Sequence, residues 1–403
     1  MIGRRPVVVT GVGLVTAVGT GVDAWRNLIA GRSGIHPVTS FATGQYPVHI
    51  GGEIAAFSAP PGMNGGGRAT ALAIAAARLA LDDAGVSARD VDPHRAAVML
   101  GTTSGEPSFV ERLEDSRAAG GPSDGASRDL AINYPSHGIP ARVAEDAGFH
   151  GPALTIPTAC AAGNHAVAAA IDLLRAGRAD VVLAGGADAF SRITFTGFSR
   201  LGAIAPERCQ PFDRHRKGMV PGEGAAMLVL ESAERAERRG ARIYAEAAGY
   251  GLSCDAFHMT GGEPSGAGAV RAMEAALRDA GVATDDVSYI SAHGTGTVVN
   301  DRLEALAIAR VFGDAARRIP TSSIKSMIGH AMGAASAIEA AVCALATAED
   351  RIPPTINYET PDPECDFDCV PNQARDHRVR VAMNNAYGFG GNNASVVFRK
   401  WES

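Results

Sequence analysis

The apolar residues of the chain fall into two rhythms. Short runs such as Val7-Val8-Val9, Ala96 to Gly101, Val181 to Ala184 and Ala225 to Glu231 show little polar alternation, the pattern of strands buried on both faces. Between them lie alanine-rich stretches with helical spacing. Arg68 to Gly85 and Cys160 to Ala176 are two, closed by Gly85 and Gly177, because glycine readily takes the left-handed conformation that ends a helix. The two kinds of segment alternate along the chain, which predicts a layered α/β fold with buried sheets. Pro6 to Val18 reads as a buried strand with a tight turn at Gly11-Val12-Gly13, whose glycine spacing departs from a dinucleotide-binding fingerprint. Ser58 to Gly67 reads as a Pro/Gly-rich loop. Glu106 to Asp129 reads as a polar, Gly-rich surface excursion or a subunit contact.

The pattern also repeats. Ala80-Leu81-Asp82-Asp83-Ala84-Gly85-Val86, then Asp90-Val91 and a buried strand, returns as Ala276-Leu277-Arg278-Asp279-Ala280-Gly281-Val282, then Asp286-Val287 and another strand. The spacing is close to half the chain, so the halves read as copies of one α/β unit. A looser correspondence equates Cys160-Ala161-Ala162-Gly163 with His330-Ala331-Met332-Gly333, each opening an alanine-rich helix. A duplicated fold would bring reactive residues from both halves to one central site.

Composition narrows the classes of function. A formal charge of -6 without a basic block argues against nucleic acid or an anionic membrane as the main partner. No uninterrupted apolar run approaches a membrane span, and Met1 to Pro6 leads into a strand too short for a signal peptide, so the expected location is cytoplasmic. The six cysteines are scattered, as reduced thiols are. Cys365 and Cys369 form the one close pair and lack a second pair at zinc-site spacing, so no metal is expected.

Four stretches carry candidate chemistry. In Thr155 to His165 an apolar strand runs into a helix with Cys160 at the junction, where unpaired N–H groups and the helix dipole favour a thiolate; a buried structural cysteine is the competing reading. His293, in Ser291 to Thr297, follows a strand and is flanked by glycines that admit a ligand, or it is a histidine satisfied in a turn. Lys325, amid apolar residues before His330, needs an anionic partner, and Glu339 on the following helix is the nearest. Asn384 to Asn393 is a Gly-rich turn between two β-like runs that can aim N–H groups at an oxyanion, although a plain hairpin reads the same.

Taken in order, Val7 to Gly13, Thr158-Ala159-Cys160, Ala292-His293-Gly294-Thr295-Gly296-Thr297, Lys325-Ser326-Met327-Ile328-Gly329-His330 and Gly388-Phe389-Gly390-Gly391-Asn392-Asn393 resemble the β-ketoacyl-acyl carrier protein synthases. These are the elongating condensing enzymes of type II fatty acid and polyketide synthesis, in the thiolase-fold superfamily. The resemblance spans essentially the whole chain. It implies a layered αβαβα fold of two pseudo-duplicated halves, residues 1–240 with the nucleophile and 241–403 with both histidines. It further implies Cys160 as the acylated nucleophile, with the N–H groups of Cys160 and Phe389 as the oxyanion hole. His293 and His330 become donors to the extender's thioester carbonyl, Lys325 and Glu339 a supporting ion pair, Phe389 a gate, and Thr295, Thr297 and Gly390 contacts to substrate. No bound cofactor is implied, since phosphopantetheine arrives on the acyl carrier protein. The implied assembly is a homodimer, or a heterodimer with a chain-length partner. Arg68, Arg200 and Arg208 are candidates for docking the acidic carrier. Pro157, Val298-Val299, Ala386-Tyr387 and Asn392 depart from the usual pattern near the pocket and point to specialised condensation. A non-elongating acyltransferase or cyclase, or a silent chain-length subunit, stays open as an alternative.

Overall fold

A computed structural model describes residues 5–63, 65–121 and 124–402; Met1–Arg4, Asn64, Pro122, Ser123 and Ser403 lie outside it. The first half contributes β1 (Val7–Thr16), β2 (Ala96–Gly101), β3 (Ala153–Ile156), β4 (Val181–Asp188) and β5 (Gly224–Ser232). The second contributes β6 (Ala245–Cys254), β7 (Tyr289–Ser291), β8 (Thr321–Ser322), β9 (Val381–Gly388) and β10 (Asn392–Arg399). Apart from Gly19–Thr20, which pairs with β1, the strands of the large sheet stand in the order β8-β7-β9-β10-β6-β1-β5-β4-β2-β3. Read outward from the middle, β6-β10-β9-β7-β8 repeats β1-β5-β4-β2-β3. Directions repeat as well: β1/β5 and β4/β5 are antiparallel and β2/β4 and β2/β3 parallel, as are their counterparts. Two residue pairs, Val8 with Glu246 and Val9 with Ala245, join the copies.

Five helices make the layers around these strands. They are α1 (Arg68–Ala84), α2 (Ala162–Arg175), α3 (Ala267–Ala280), α4 (Val298–Phe312) and α5 (Ala335–Glu349). Packing of α2 and α5 against each other and against both sets of strands forms the largest core, while α1 and α3 cover the outer faces. Alanine suits the middle layer: a helix without bulk lets both sets of strands close on it. The larger residues there, such as Ile171, Ile338 and Leu345, each contribute about 1.5–3 kcal/mol by burial. The repeated motif ends α1 and α3, whose capping glycines, Gly85 and Gly281, have φ of 60° and 64°.

Two expectations change. Gly11 and Gly13 form no turn and lie inside β1, which has a register shift between Val9 and Gly11. The spacing of these glycines reflects a close approach of α1, since a Cβ on Gly13 would come 1.9 Å from the Ala76 carbonyl oxygen. Glu106 to Asp129 is largely helical, with Pro107–Ala118 and Asp124–Asn133 as helices. Glu106 itself is buried, and its carboxylate accepts the N–H groups of Gly67, Ala69 and Thr70 where α1 begins. Met332–Glu349 has the length and mean hydropathy of a membrane span, and 89% of it is buried in the central layer of the protein.

Candidate active site

Cys160 sits one step earlier than a helix start. Ala159–Ala161 forms a 3-10 turn ahead of α2, entered through Ala159 at φ 51°, a left-handed conformation unfavourable for alanine. The same device recurs at Met332–Ala334 ahead of α5, with Met332 at φ 50°. This corrects the looser correspondence drawn from sequence: Cys160 is the counterpart of Gly333, and His330 lies before the equivalent turn. The cysteine's surroundings also correct its expected ionisation. Burial pushes the thiol up to about 11, outweighing Lys325 and the Phe389 N–H, which both favour the thiolate. The resting group is therefore a thiol with two backbone donors, Phe389 N–H and its own, turned to the sulfur.

The two histidines arrive from the other half. His293 follows β7, and the Glu304 carboxylate holds its turn by accepting the N–H groups of His293 and Gly294 at 2.8 and 2.7 Å. Asp301, one helical turn before Glu304 on α4, accepts from Gly296 N–H. These two acids escaped the sequence reading; their spacing of three residues just after the glycine-rich turn is the signal that could have found them. His330 is held by its main chain, with its N–H donating to Val220 O at 2.7 Å and its carbonyl accepting from Gly222 N–H at 2.9 Å. Its ring Nδ1 is buried without a hydrogen-bond partner among the described residues. The His293 and His330 rings stand edge to face, 5.4 Å apart. One nitrogen from each and the Cys160 sulfur lie within 4.8 Å of one another. Burial, reinforced by Lys325, holds both imidazoles well below their usual pKa and so neutral, each with one N–H to donate.

Lys325 and Glu339 form a wholly buried ion pair, and the lysine nitrogen also donates to His293 O at 2.6 Å and approaches His293 Nδ1 at 3.5 Å. Burial pushes the Glu339 carboxyl up against the pull of Lys325, and its Oε2 has no hydrogen-bond partner among the described residues. With a positive charge beside the imidazoles, the cluster favours a negatively charged oxygen over a metal cation. Lys325→Met is expected to lower stability by about 3–5 kcal/mol in chemical denaturation, because it strands a buried carboxylate. Lys325→Met with Glu339→Leu should recover most of that loss, and a double variant no more stable than the single one would contradict the pairing.

Cys160, His293, His330, Thr295, Thr297 and Phe389 line one cavity of about 170 Å³. The hydroxyls of Thr295 and Thr297 bond to each other at 2.9 Å. Phe389, which opens the turn after β9, packs on Phe198 with ring centroids 5.7 Å apart and is 39% exposed. Gly390 is outside the lining; its N–H donates to Met259 O at 2.8 Å. Of the departures, Val299 and Tyr387 line the cavity and Asn392 donates to Phe389 O, whereas Pro157 and Val298 do not reach it. Arg68 is committed to Glu223 through two hydrogen bonds and Arg208 is paired with Glu359. Arg200 is exposed at the last turn of the Arg192–Arg200 helix.

Comparison with known proteins converges on the same chemistry. Residues 4–236 match the β-ketoacyl synthase N-terminal domain and residues 244–359 the C-terminal domain. A curated relative, 3-oxoacyl-[acyl-carrier-protein] synthase 2 of Staphylococcus aureus (strain N315), is 39% identical over 412 residues, covering 99% of both chains. Among solved structures, the ishigamide ketosynthase/chain length factor is 43% identical, with a TM-score of 0.95 over 99% of this chain and 100% of that one. The ketosynthase of a type II polyketide synthase, AntDE, seen with its acyl-carrier protein AntF, is 34% identical, with a TM-score of 0.91 over 99% and 100%. The duplicated thiolase-like fold, the buried thiol between two neutral imidazoles and these whole-length matches make the chain a member of the β-ketoacyl synthase family, acyltransferases that condense acyl chains.

Proposed function

We propose that Cys160 takes an acyl group from a carrier-protein thioester and that His293 and His330 support decarboxylation of a malonyl-type extender on the same protein. The observation that carries this is the buried thiol flanked by two uncharged imidazoles, one with a ring nitrogen that has no hydrogen-bond partner among the described residues. In the first step the sulfur attacks the thioester carbonyl, the N–H groups of Cys160 and Phe389 hold the oxyanion, and the thiol proton leaves on the departing pantetheine thiol. In the second, the bond from the extender's α-carbon to its carboxylate breaks, carbon dioxide leaves, and the electron pair becomes an enolate. The histidine N–H groups hold the enolate oxygen. Its carbon attacks the acyl carbonyl, the bond to sulfur breaks, and Cys160 recovers a proton from solvent.

Phosphopantetheine reaches the cavity on the carrier, with Thr295 and Thr297 along its path. The partners proposed are an acyl carrier protein and a second ketosynthase-fold subunit, identical or of chain-length type, in keeping with the assemblies of the two structural relatives. A cytoplasmic setting is proposed on the same basis. The chain divides, in this reading, into residues 1–240 with Cys160 and 241–403 with both histidines, and the matching strand orders on either side support that division. The departures at Val299 and Tyr387 favour specialised condensation, in type II polyketide or dedicated fatty acid synthesis, since both face the cavity.

Intact-protein mass spectrometry tests the reading. Incubation with acyl-carrier protein is expected to add one acyl group, and malonyl-carrier protein should then discharge it as a β-ketoacyl product. An acyl-enzyme that never consumes malonyl-carrier protein would identify a non-elongating acyltransferase. Wild-type protein that refuses every acyl chain would identify a silent partner subunit.

A further inference from the structure

The duplication that builds one catalytic turn builds a second, and the second is filled from within. Strand register equates the two ends: Asp188 pairs with Gly224 where β4 meets β5, as Gly388 pairs with Asn392 where β9 meets β10. Gly333 occupies the place of Cys160, so Asp188 and Gly388 each stand before an equivalent N–H. At the catalytic turn, a Cβ on Gly388 would come 2.9 Å from the Thr158 carbonyl oxygen and 3.2 Å from the Cys160 nitrogen, so glycine lets the strand end approach the turn and puts no side chain over that N–H. At the other turn the space is taken. Asp188 Oδ2 accepts the N–H groups of Gly333 and Thr103 at 2.7 and 2.8 Å, and Oδ1 accepts Ser104 N–H at 2.8 Å and the Thr102 hydroxyl at 2.9 Å. Four donors thus converge on a carboxylate that is wholly buried.

We infer that Asp188 is a built-in anion occupying the second half's counterpart of the oxyanion turn, and that it acts as a positioning residue for His330. The connections are direct. Gly333 lies three residues beyond His330, while Thr102 to Ser104 follow Gly101, whose Cα packs against the main chain of Ala162 at the start of α2. One carboxylate therefore ties the histidine's segment to the strand end beside the Cys160 turn. Burial pushes its carboxyl up to about 6, and the four donors hold the ionised form against that pressure. The anion site stands on geometry alone; its catalytic readout rests on the condensing reading.

The test is Asp188→Gly, which copies the residue of the other half, with formate as the carboxylate that refills the turn. Exposed Thr103, next to the site, gives a short path for entry. Formate is expected to raise the Tm of the variant beyond the effect of equal chloride and to leave wild type unmoved. Malonyl-carrier decarboxylation should fall about tenfold or more, Cys160 acylation should change less than about threefold, and formate should restore most of the lost decarboxylation. No formate-specific gain in Tm or rate, or equal loss of both steps, overturns the inference. Should the glycine variant fail to fold, Asp188→Asn keeps the volume but turns an amide N–H₂ toward backbone donors; it should show the same unequal loss without rescue, and wild-type rates in it also overturn the inference. A wild-type protein inert toward malonyl-carrier protein, with a glycine variant still stabilised by formate, would sink the condensing reading and leave the filled turn standing.

Discussion

Cys160→Ala is expected to lose acylation from acyl-carrier protein entirely and condensation by at least about a thousandfold, since among the described residues no other cysteine lines the cavity beside the histidines. The change removes one buried sulfur, so stability should fall by only about 1 kcal/mol, and loss of activity will not reflect unfolding. An acyl adduct of undiminished yield on the alanine variant would place the nucleophile elsewhere. The burial that makes this thiol specific also sets its pH dependence. A thiol pushed up to about 11 has its thiolate fraction rising across the whole alkaline range. Trapping of Cys160 by iodoacetamide should thus keep accelerating beyond about pH 9, and a plateau between about pH 7 and 8 would show that the helix end outweighs desolvation.

His293→Ala and His330→Ala should separate the two half-reactions. In the proposed mechanism acylation of Cys160 draws on the backbone donors of Cys160 and Phe389, which both variants keep, so it should fall less than about tenfold. Decarboxylation, in the same mechanism, draws on the imidazole N–H groups, and removing one oxyanion donor typically lowers such a step about 10²–10³-fold. Both rings are buried and neutral, a state suited to donating a hydrogen bond to an enolate and unsuited to strong base catalysis. Carbon dioxide release from malonyl-carrier protein, measured beside acylation by mass spectrometry, checks the division. Equal loss of both steps in both variants would mean that the histidines serve the thiol rather than the extender.

Much of the site was legible in the residues themselves. Cys160, His293, Lys325, His330 and the Phe389 turn each stand in short segments of small or apolar residues, where a reactive or charged side chain has a local reason to be noticed. Glu304 and Asp188 were less visible. Each is an acid in a buried element whose use depends on donors brought from elsewhere: a preceding turn for Glu304, and for Asp188 the ends of β2 and of the loop before α5.

The order of buried runs and alanine-rich helices determined the layered α/β class, and the motif repeated at 80–86 and 276–282 determined that it is built twice. Those features are local, since they depend on side-chain period and on glycine at helix ends. Only the tertiary structure decided the register between copies, because that depends on which strand residues face each other across the sheet. It moved the partner of Cys160 from His330 to Gly333 and drew Gly11 and Gly13 into a continuous strand under α1. It also reversed the expected ionisation of the cysteine. A helix start is written in sequence, but desolvation is set by everything packed around the sulfur, and here desolvation is the larger effect.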